Sequence, residues 1–163
     1  SGDRSRQSKS RGIGWELVHV AIDDASRLAF SQILPDERKE SATAFLKTAM
    51  AYYQSLGVSV ERVMTDNGAC YRSKPFRDAC RQLRIRHIRT RPYTPKTNGK
   101  AERFIQTLLR EWAYRFRYER TAQRTALLVP YLHFYNFHRA HMALGRLPPV
   151  SRLRLNNVVS TNS

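Results

Sequence analysis

The stretch that decides the fold opens with RVMTDNG at residues 62–68 and closes with NGKAERF at residues 98–104. Residues 58–65 predict a buried strand, because they are rich in β-branched and apolar side chains and stop at an Asp-Asn-Gly turn signal. Asp66 is therefore expected at the carboxyl end of a strand. Open α/β sheets bind their ligands at this end of their strands.

A long helix is predicted to begin where the stretch closes. Asn98 can cap it, and apolar residues recur beyond Asn98 with the period of a helix. These residues are Ala101, Phe104, Ile105, Leu108, Trp112 and Phe116. Glu102 lies on the border of this apolar stripe, about a quarter turn from its centre. The strand acid Asp66 and the helix acid Glu102 are thus predicted to point at one place.

The two acids and their flanks resemble the D,D-35-E family of retroviral integrases and insertion-sequence transposases. Thirty-five residues separate Asp66 from Glu102, which is the spacing of the last two acids in that family. TDNG at residues 65–68 resembles the family's strand end, and RPYTPKTNG at residues 91–99 resembles its flexible, proline-containing loop. A pair of acids alone is usually solvated surface charge, but the spacing and both flanks together point to the family.

The resemblance implies a ribonuclease-H-like fold, with a mixed sheet flanked by helices, and a metal-dependent DNA transposase or integrase activity. In the family, the first Asp bridges two Mg²⁺ or Mn²⁺ ions, and the second Asp and the Glu hold one each. Carried over, Asp66 is the second acid and Glu102 the third. Such hard cations prefer carboxylate oxygens, and two of them can activate a nucleophile and stabilise the leaving oxygen. Water would nick the element's end, and the freed 3′-hydroxyl would attack target DNA.

The first acid of the set has no clear counterpart in this chain. WELVHVAIDDASR at residues 15–27 resembles the family's second strand and turn, and the polar, basic segment before it carries only Asp3. The first strand is therefore expected to be missing, and the chain alone to be inactive or nearly so. Asp23 or Asp24 could substitute only if this hairpin is placed differently. Acids in such turns more often bond to nearby backbone.

The charge of the chain predicts a polyanionic partner. Twenty-nine Lys and Arg against 13 Asp and Glu leave a net charge of +16 over 163 residues, and each cation near a phosphate releases condensed counterions. We expect DNA, both transposon ends and target, to contact Lys96, Lys100, Arg103 and Arg110. A membrane is not expected as the partner, because no apolar run approaches the roughly 20 residues of a spanning helix. The resemblance to insertion-sequence transposases further implies a bacterial, cytoplasmic, nucleoid-associated protein that forms a homo-oligomer in its active complex.

Three segments are predicted: a basic flexible arm over residues 1–14, an integrase-like catalytic core over 15–153 and a frayed tail over 154–163. The core is predicted to order its elements as a strand hairpin, a helix, a strand, a short helix, a strand and two longer helices. Besides the elements already given, these are strands at 15–22, 27–34 and 85–90, a helix at 38–56 that ends at Gly57, and a helix at 121–141 with an interruption at Pro130. A short helix capped by Ser73 is expected to bury one face, which consists of Phe76, Ala79, Cys80 and Leu83.

Two further patterns favour structural roles over metal binding. Cys70 and Cys80 have no CxxC partner, so reduced thiols are expected. His138 and His141 could share a helical face, but a zinc site needs more ligands than two. Their segment, YLHFYNFHRAH at residues 131–141, resembles the tail of bacterial insertion-sequence transposase cores. Two rival functions stay open: a non-catalytic DNA-binding remnant of a transposase and a ribonuclease-H-type nuclease.

Overall fold

The computed structural model describes residues 17–90, 99–114 and 121–153. Its strands and helices follow one another as β1 Leu17–Ile22, β2 Ala29–Leu34, α1 Lys39–Ser55, β3 Arg62–Thr65, α2 Lys74–Gln82, β4 Arg86–Arg89, α3 Gly99–Leu108 and α4 Thr121–Phe137. Short 3₁₀ turns cover Ala69–Arg72 and Met142–Leu144, and a π-helical turn covers Leu109–Ala113. The predicted α/β class, with mixed strands and helices, is confirmed.

These residues divide into two compact units. The first contains residues 17–19, 32–90 and 99, and the second contains residues 20–31, 100–114 and 121–153. The strands form two separate two-stranded sheets, β1 with β2 and β3 with β4. The predicted arm over 1–14, the loop over 91–97, the helix cap Asn98 and the tail over 154–163 lie outside the described residues.

Helix α1 forms the centre of the first unit. Its buried face consists of Ala42, Leu46, Ala49 and Tyr53, which recur at the three- and four-residue spacing of one helical face. Gly57 has a left-handed backbone with φ of +78° and donates its N–H to the carbonyl of Gln54 at 3.0 Å. Glycine adopts this conformation without strain, so the predicted end of the helix is confirmed.

Helix α2 packs against α1 as its sequence predicts. Ser73 caps it, since its hydroxyl oxygen accepts from the N–H of Phe76 at 3.3 Å. Phe76, Ala79 and Cys80 are buried against Ala42 and Leu46 of α1. Leu83, the fourth residue of the predicted buried face, is 36% exposed at the helix end, so that part of the prediction is wrong.

The strand predicted over residues 58–65 is shorter and more exposed than expected. Only residues 62–65 form β3, and Met64 on it is 49% exposed. The N–H of Val58 is taken by the end of α1, since it donates to the carbonyl of Tyr53 at 2.9 Å. The residues after α1 therefore complete the helix end before the strand begins. Within the described chain β3 pairs with β4 alone, in parallel register.

Helix α3 carries the predicted apolar stripe of the second unit. Phe104, Leu108 and Trp112 are all buried, while Phe116 lies outside the described residues. Over its last turn the helix widens, because Tyr114 donates its N–H to the carbonyl of Leu109, five residues back, at 2.9 Å. Such π-helical turns are rare in proteins and are found frequently at functional sites.

Helix α4 differs from its prediction at two places. It runs through Pro130 without interruption and ends at Phe137 rather than at residue 141. Pro130 lies on an exposed side of the helix, while Leu132 and Tyr135 stay buried. Their burial offsets the one backbone hydrogen bond that a proline cannot donate.

Asn136 fastens the end of α4 to strand β2 within the second unit. Its side chain is fully buried, with 0% exposure. Its Oδ1 accepts from the N–H of Ala29 at 2.8 Å, and its Nδ2 donates to the carbonyl of Ala29 at 2.8 Å. The side-chain amide thus satisfies both backbone groups of a strand residue, as a neighbouring strand would.

Asn136→Ala is expected to lower the free energy of unfolding by about 2–4 kcal/mol, because both backbone groups of Ala29 would be left buried without partners. His133→Ala, at an exposed position of the same helix, is the control and should cost less than about 0.5 kcal/mol. Urea denaturation of both variants tests this. Equal, small losses in the two variants would show that the Asn136 contacts contribute little to stability.

Candidate metal and DNA site

Asp66 lies directly after the last residue of β3, as the sequence predicts. The carboxylate is half-buried, and its Oδ1 accepts from the N–H of Gly68 at 2.7 Å. A Cβ at Gly68 would lie 3.0 Å from the same Oδ1, closer than side chains normally approach. The absence of a side chain at Gly68 therefore allows this tight turn, which orients the carboxylate at the strand's end.

Two hydrogen bonds join the end of β3 to β4 around Asp66. Thr65 Oγ1 lies 2.7 Å from Nε2 of His87, and Asn67 Nδ2 donates to the carbonyl of Thr90 at 2.6 Å. Burial lowers the pKa of His87, and the charge of Arg89 lowers it further. Both effects favour the neutral form of the His87 ring. Sequence reasoning missed these supports, because they depend on the register that pairs residue 63 with residue 87.

The charge of Asp66 also acts on its neighbours in the 3₁₀ turn. Burial, together with the nearby Asp66 carboxylate, raises the pKa of the Cys70 thiol to about 11. Burial raises the pKa of Tyr71 most, and interactions with Cys70 and then with Asp66 raise it further. Both groups stay protonated near neutral pH. Cys70 and Cys80 are free thiols, as the sequence predicts.

Glu102 lies in the first turn of α3, where the partial positive charge of a helix N-terminus favours an acid. It is half-buried, whereas Phe104, two residues further on, is buried, which agrees with the place of Glu102 on the border of the apolar stripe. Glu102 belongs to the second unit and Asp66 to the first. Their convergence therefore stays a prediction from the sequence.

Asp23 and Asp24 lie in the turn between β1 and β2. Asp23 Oδ2 accepts from the N–H of Ser26 at 3.0 Å and from its hydroxyl at 2.6 Å. Asp24 forms an ion pair with Lys100 of α3 and also accepts, through its carbonyl, from Lys100 Nζ at 3.1 Å. Asp23 thus makes its contacts within the turn, while Asp24 makes contacts with α3.

The four predicted DNA-contacting cations have different surroundings. Lys96 lies outside the described residues, and Lys100 is engaged by Asp24. Arg103 is exposed, and Arg110 has a 68% exposed side chain 3.7 Å from the Glu111 carboxylate. The three described cations are all carried by α3 and the turn that extends it, so they occupy the same element as Glu102.

A polar cluster that sequence reasoning missed supports this helix. Glu111 accepts from Arg139 through both carboxylate oxygens, at 2.8 and 2.6 Å, and from the Tyr131 hydroxyl at 2.8 Å. His141 is buried, with Nε2 3.2 Å from the carbonyl of Tyr135, while His138 is exposed. The polar residues of the 131–141 segment therefore brace the second unit.

Across residues 17–90, 99–114 and 121–153, no group of three or more His, Cys, Asp or Glu side chains is arranged so that it could hold a metal ion.

Glu111→Gln is expected to lower the free energy of unfolding at neutral pH by about 1–3 kcal/mol, because it removes charge-assisted hydrogen bonds. The bonds from Arg139 hold the pKa of Glu111 below its ordinary value of 4.5. The stabilisation is therefore complete above that pH and is lost as the pH falls through the folded-state pKa. Urea denaturation at about pH 7 and about pH 3 should show the gap between the two proteins narrowing. A gap of constant size would contradict the role of the charge.

Comparison with protein families identifies integrase cores along this chain. One model described as an integrase core domain matches residues 6–95, and a second with the same description matches residues 83–149. A putative integrase of Spiroplasma virus SpV1-C74 is 27% identical in an alignment 149 residues long, which covers 83% of this chain and 41% of that protein. The transposase InsD for an insertion element of Escherichia coli is 32% identical over 91 residues, covering 56% of this chain and 30% of that protein. The chain spans less than half the length of both relatives.

Solved structures share the fold. The catalytic core domain of BIV integrase superposes with a TM-score of 0.66 at 22% identity, covering 91% of each chain. A chain of the simian T-cell lymphotropic virus intasome, solved in complex with a PP2A regulatory subunit, superposes with a TM-score of 0.64 at 27% identity. It covers 77% of this chain and 44% of that one. The ribonuclease-H-like fold predicted from the sequence is confirmed. Within the described ranges, no helix has the length and apolar content needed to span a membrane.

Proposed function

The chain belongs to the integrase core domain family, and from that membership we propose that it catalyses metal-dependent phosphodiester cleavage and strand transfer in DNA integration, as the core of a transposase. One observation carries the proposal. Asp66 stands at the end of β3 with its carboxylate oriented by Gly68, and Glu102 follows at the family's spacing in the first turn of α3. Residues 15–153 would form the catalytic core.

Asp66 and Glu102 are the proposed metal ligands, for Mg²⁺ or Mn²⁺, with two ions in a complete site. Their oxygen donors fit these hard cations better than the nitrogen and sulfur of His and Cys would. The bond from Gly68 occupies Oδ1 of Asp66, and a carboxylate can accept on both oxygens. A bound divalent ion would stabilise the negative charge that develops at the phosphorus and at the leaving oxygen. The Thr65–His87 and Asn67–Thr90 bonds keep the ligand-bearing strand end in place.

Lys96, Lys100, Arg103 and Arg110 are the proposed contacts to DNA phosphates, at transposon ends and at target DNA. The ion pair of Lys100 with Asp24 is exposed, with side-chain exposures of 41% and 88%. Exposed pairs of this kind contribute only about 0–1 kcal/mol, so a phosphate can replace Asp24. We further propose that the active complex is a homo-oligomer and that the protein acts in the bacterial cytoplasm at the nucleoid.

A second candidate is a DNA-binding protein without catalysis. The observation in its favour is that Asp23 and Asp24, the two acids of the β1–β2 hairpin, are both engaged within the turn and with Lys100. Asp23, whose Oδ2 accepts from both the N–H and the hydroxyl of Ser26, is poorly disposed to act as a first catalytic acid. This candidate uses the same basic surface and needs no metal ion.

A joining assay separates the candidates. A labelled oligonucleotide duplex with a free 3′-hydroxyl is incubated with a supercoiled plasmid, with Mg²⁺ or Mn²⁺ and with EDTA, and with the protein in a form that also carries the first acid of the family's set. Label transferred to the plasmid only with metal supports the proposed function. Binding of both DNAs without joining would favour the non-catalytic candidate. Cleavage of an RNA–DNA hybrid without joining would indicate a nuclease instead.

A further inference from the structure

Two arginines stand side by side at the start of the β3–β4 sheet. The parallel register places the Cα atom of Arg62 opposite that of Arg86. Paired residues of neighbouring strands lie about 5 Å apart and point to the same face of the sheet. Both arginines are exposed. They are therefore two like charges held next to each other, an arrangement that costs stability unless an anion lies between them.

The opposite face of this sheet is the packed one. His87, which alternates with Arg86 along β4, has its ring 5.0 Å from the ring of Phe76 on α2. Val63, which alternates with Arg62, packs against the α1–α2 core. Residues that alternate along a strand point to opposite faces. Arg62 and Arg86 consequently share the face that α1 and α2 leave uncovered, together with the 49% exposed Met64.

Arg84 adds a third cation close to this pair. It has a left-handed backbone with φ of +56°, a conformation that favours glycine or asparagine and costs an arginine about 1 kcal/mol or more. Ile85 between Arg84 and Arg86 is buried, and its N–H donates to the carbonyl of Cys80 at 2.9 Å. Both arginines are thereby fixed on either side of a buried anchor.

Acids do little to offset this charge. The sequence has no Asp or Glu between Asp78 and Glu102. Glu61 is the acid next to these three arginines in the sequence, since it directly precedes Arg62. Its carbonyl accepts from the N–H of Arg86 at 2.9 Å. Glu61, Arg62, Arg84 and Arg86 together still carry two net positive charges.

We propose that Arg62, Arg84 and Arg86 form a phosphate clamp for duplex DNA, separate from the cations of α3. Guanidinium groups bind phosphate oxygens in pairs and keep their charge at any physiological pH. Asp66 lies four residues after Arg62, which is about 13 Å at the rise of a strand. That distance corresponds to about four base pairs at 3.4 Å each. The clamp binds the backbone of the duplex that flanks the cleavage site, so the inference rests on the DNA binding in the proposed function.

The test compares two double variants that remove the same charge from the first unit. Arg62→Gln/Arg86→Gln removes the side-by-side pair, and Lys39→Gln/Lys47→Gln removes two exposed cations of α1. Affinity for a 30-base-pair duplex is measured by fluorescence anisotropy between 50 and 400 mM salt, without divalent ions. Loss of two phosphate contacts should lower the slope of log affinity against log salt by about 1.8 and weaken binding at 50 mM by about 10²-fold. The α1 variant should change the slope by less than about 0.5.

The outcomes test the phosphate clamp separately from the proposed function. A steep salt slope in the wild type, with equal slopes in the arginine variant and the wild type, would overturn the clamp and leave the proposed function standing. Equal losses in the two double variants would also overturn it, because net charge alone would explain them. A wild type that fails to bind DNA would refute the DNA-binding premise. Thermal unfolding should show the arginine variant at least as stable as the wild type, since a repulsive pair is removed.

Discussion

In a protein whose site holds all three acids, Glu102→Gln is expected to reduce metal-dependent strand transfer by a factor of about 10³ or more, because a ligand of the ions that stabilise the reacting phosphate loses its charge. The fold should persist, since Glu102 is half-buried in the first turn of α3 rather than inside the core, and the amide keeps its shape. DNA binding should also persist without metal. The joining assay with wild type and variant measures the loss directly.

Glu40→Gln is the matched control for this substitution. Glu40 is likewise an acid in the first turn of a helix, α1, and it is exposed. The two substitutions therefore change net charge and helix-terminus electrostatics alike. Glu40→Gln should leave joining unchanged. Substantial joining by Glu102→Gln in Mg²⁺, at a rate close to that of the control, would show that Glu102 is not a ligand.

The affinity of this chain for an arbitrary DNA duplex is expected to fall by about 10³–10⁵ between 50 and 200 mM salt, if six to ten phosphates are neutralised. The reason is the net charge of +16, much of it on exposed arginines and lysines. Binding should depend only weakly on base sequence, because phosphate contacts position a protein on DNA without reading its sequence. Titration of two unrelated duplexes at several salt concentrations measures both effects. A flat salt dependence would exclude phosphate contacts as the main source of affinity.

Helix α1 was predicted from the sequence more accurately than strand β3. The period of buried residues and the glycine after it placed α1 within one residue at each end, 39–55 against a predicted 38–56. A strand has no comparable local signal for its length. Residues 58–61 have strand-like composition, but the N–H of Val58 bonds to the end of α1. The interruption predicted at Pro130 was wrong for a similar reason. Helix α4 continues because neighbouring residues are buried against parts of the chain distant in sequence, which a local pattern does not show.

The sequence predicted the two candidate acids but not the hydrogen bonds that hold their surroundings in place. TDNG at residues 65–68 and the spacing to Glu102 predicted the family, which the family models confirm. The Thr65–His87 bond depends on strand register, and the Glu111–Arg139 bonds join residues 28 apart in sequence. Neither contact leaves a local pattern. The metal roles of Asp66 and Glu102 and the DNA roles of the α3 cations stay predictions.

The central claim is that Asp66 and Glu102 hold metal at one site, and metal-directed backbone cleavage tests it most directly. Fe²⁺ takes the oxygen ligands of Mg²⁺, and with ascorbate and peroxide it generates hydroxyl radicals that cut the chain beside the bound ion. The account predicts two cuts, one next to residue 66 and one next to residue 102, with both weakened by Asp66→Asn and by Glu102→Gln, and neither affected by Glu40→Gln. A cut at only one of the two positions, or two cuts that respond only to their own substitution, would contradict a shared site.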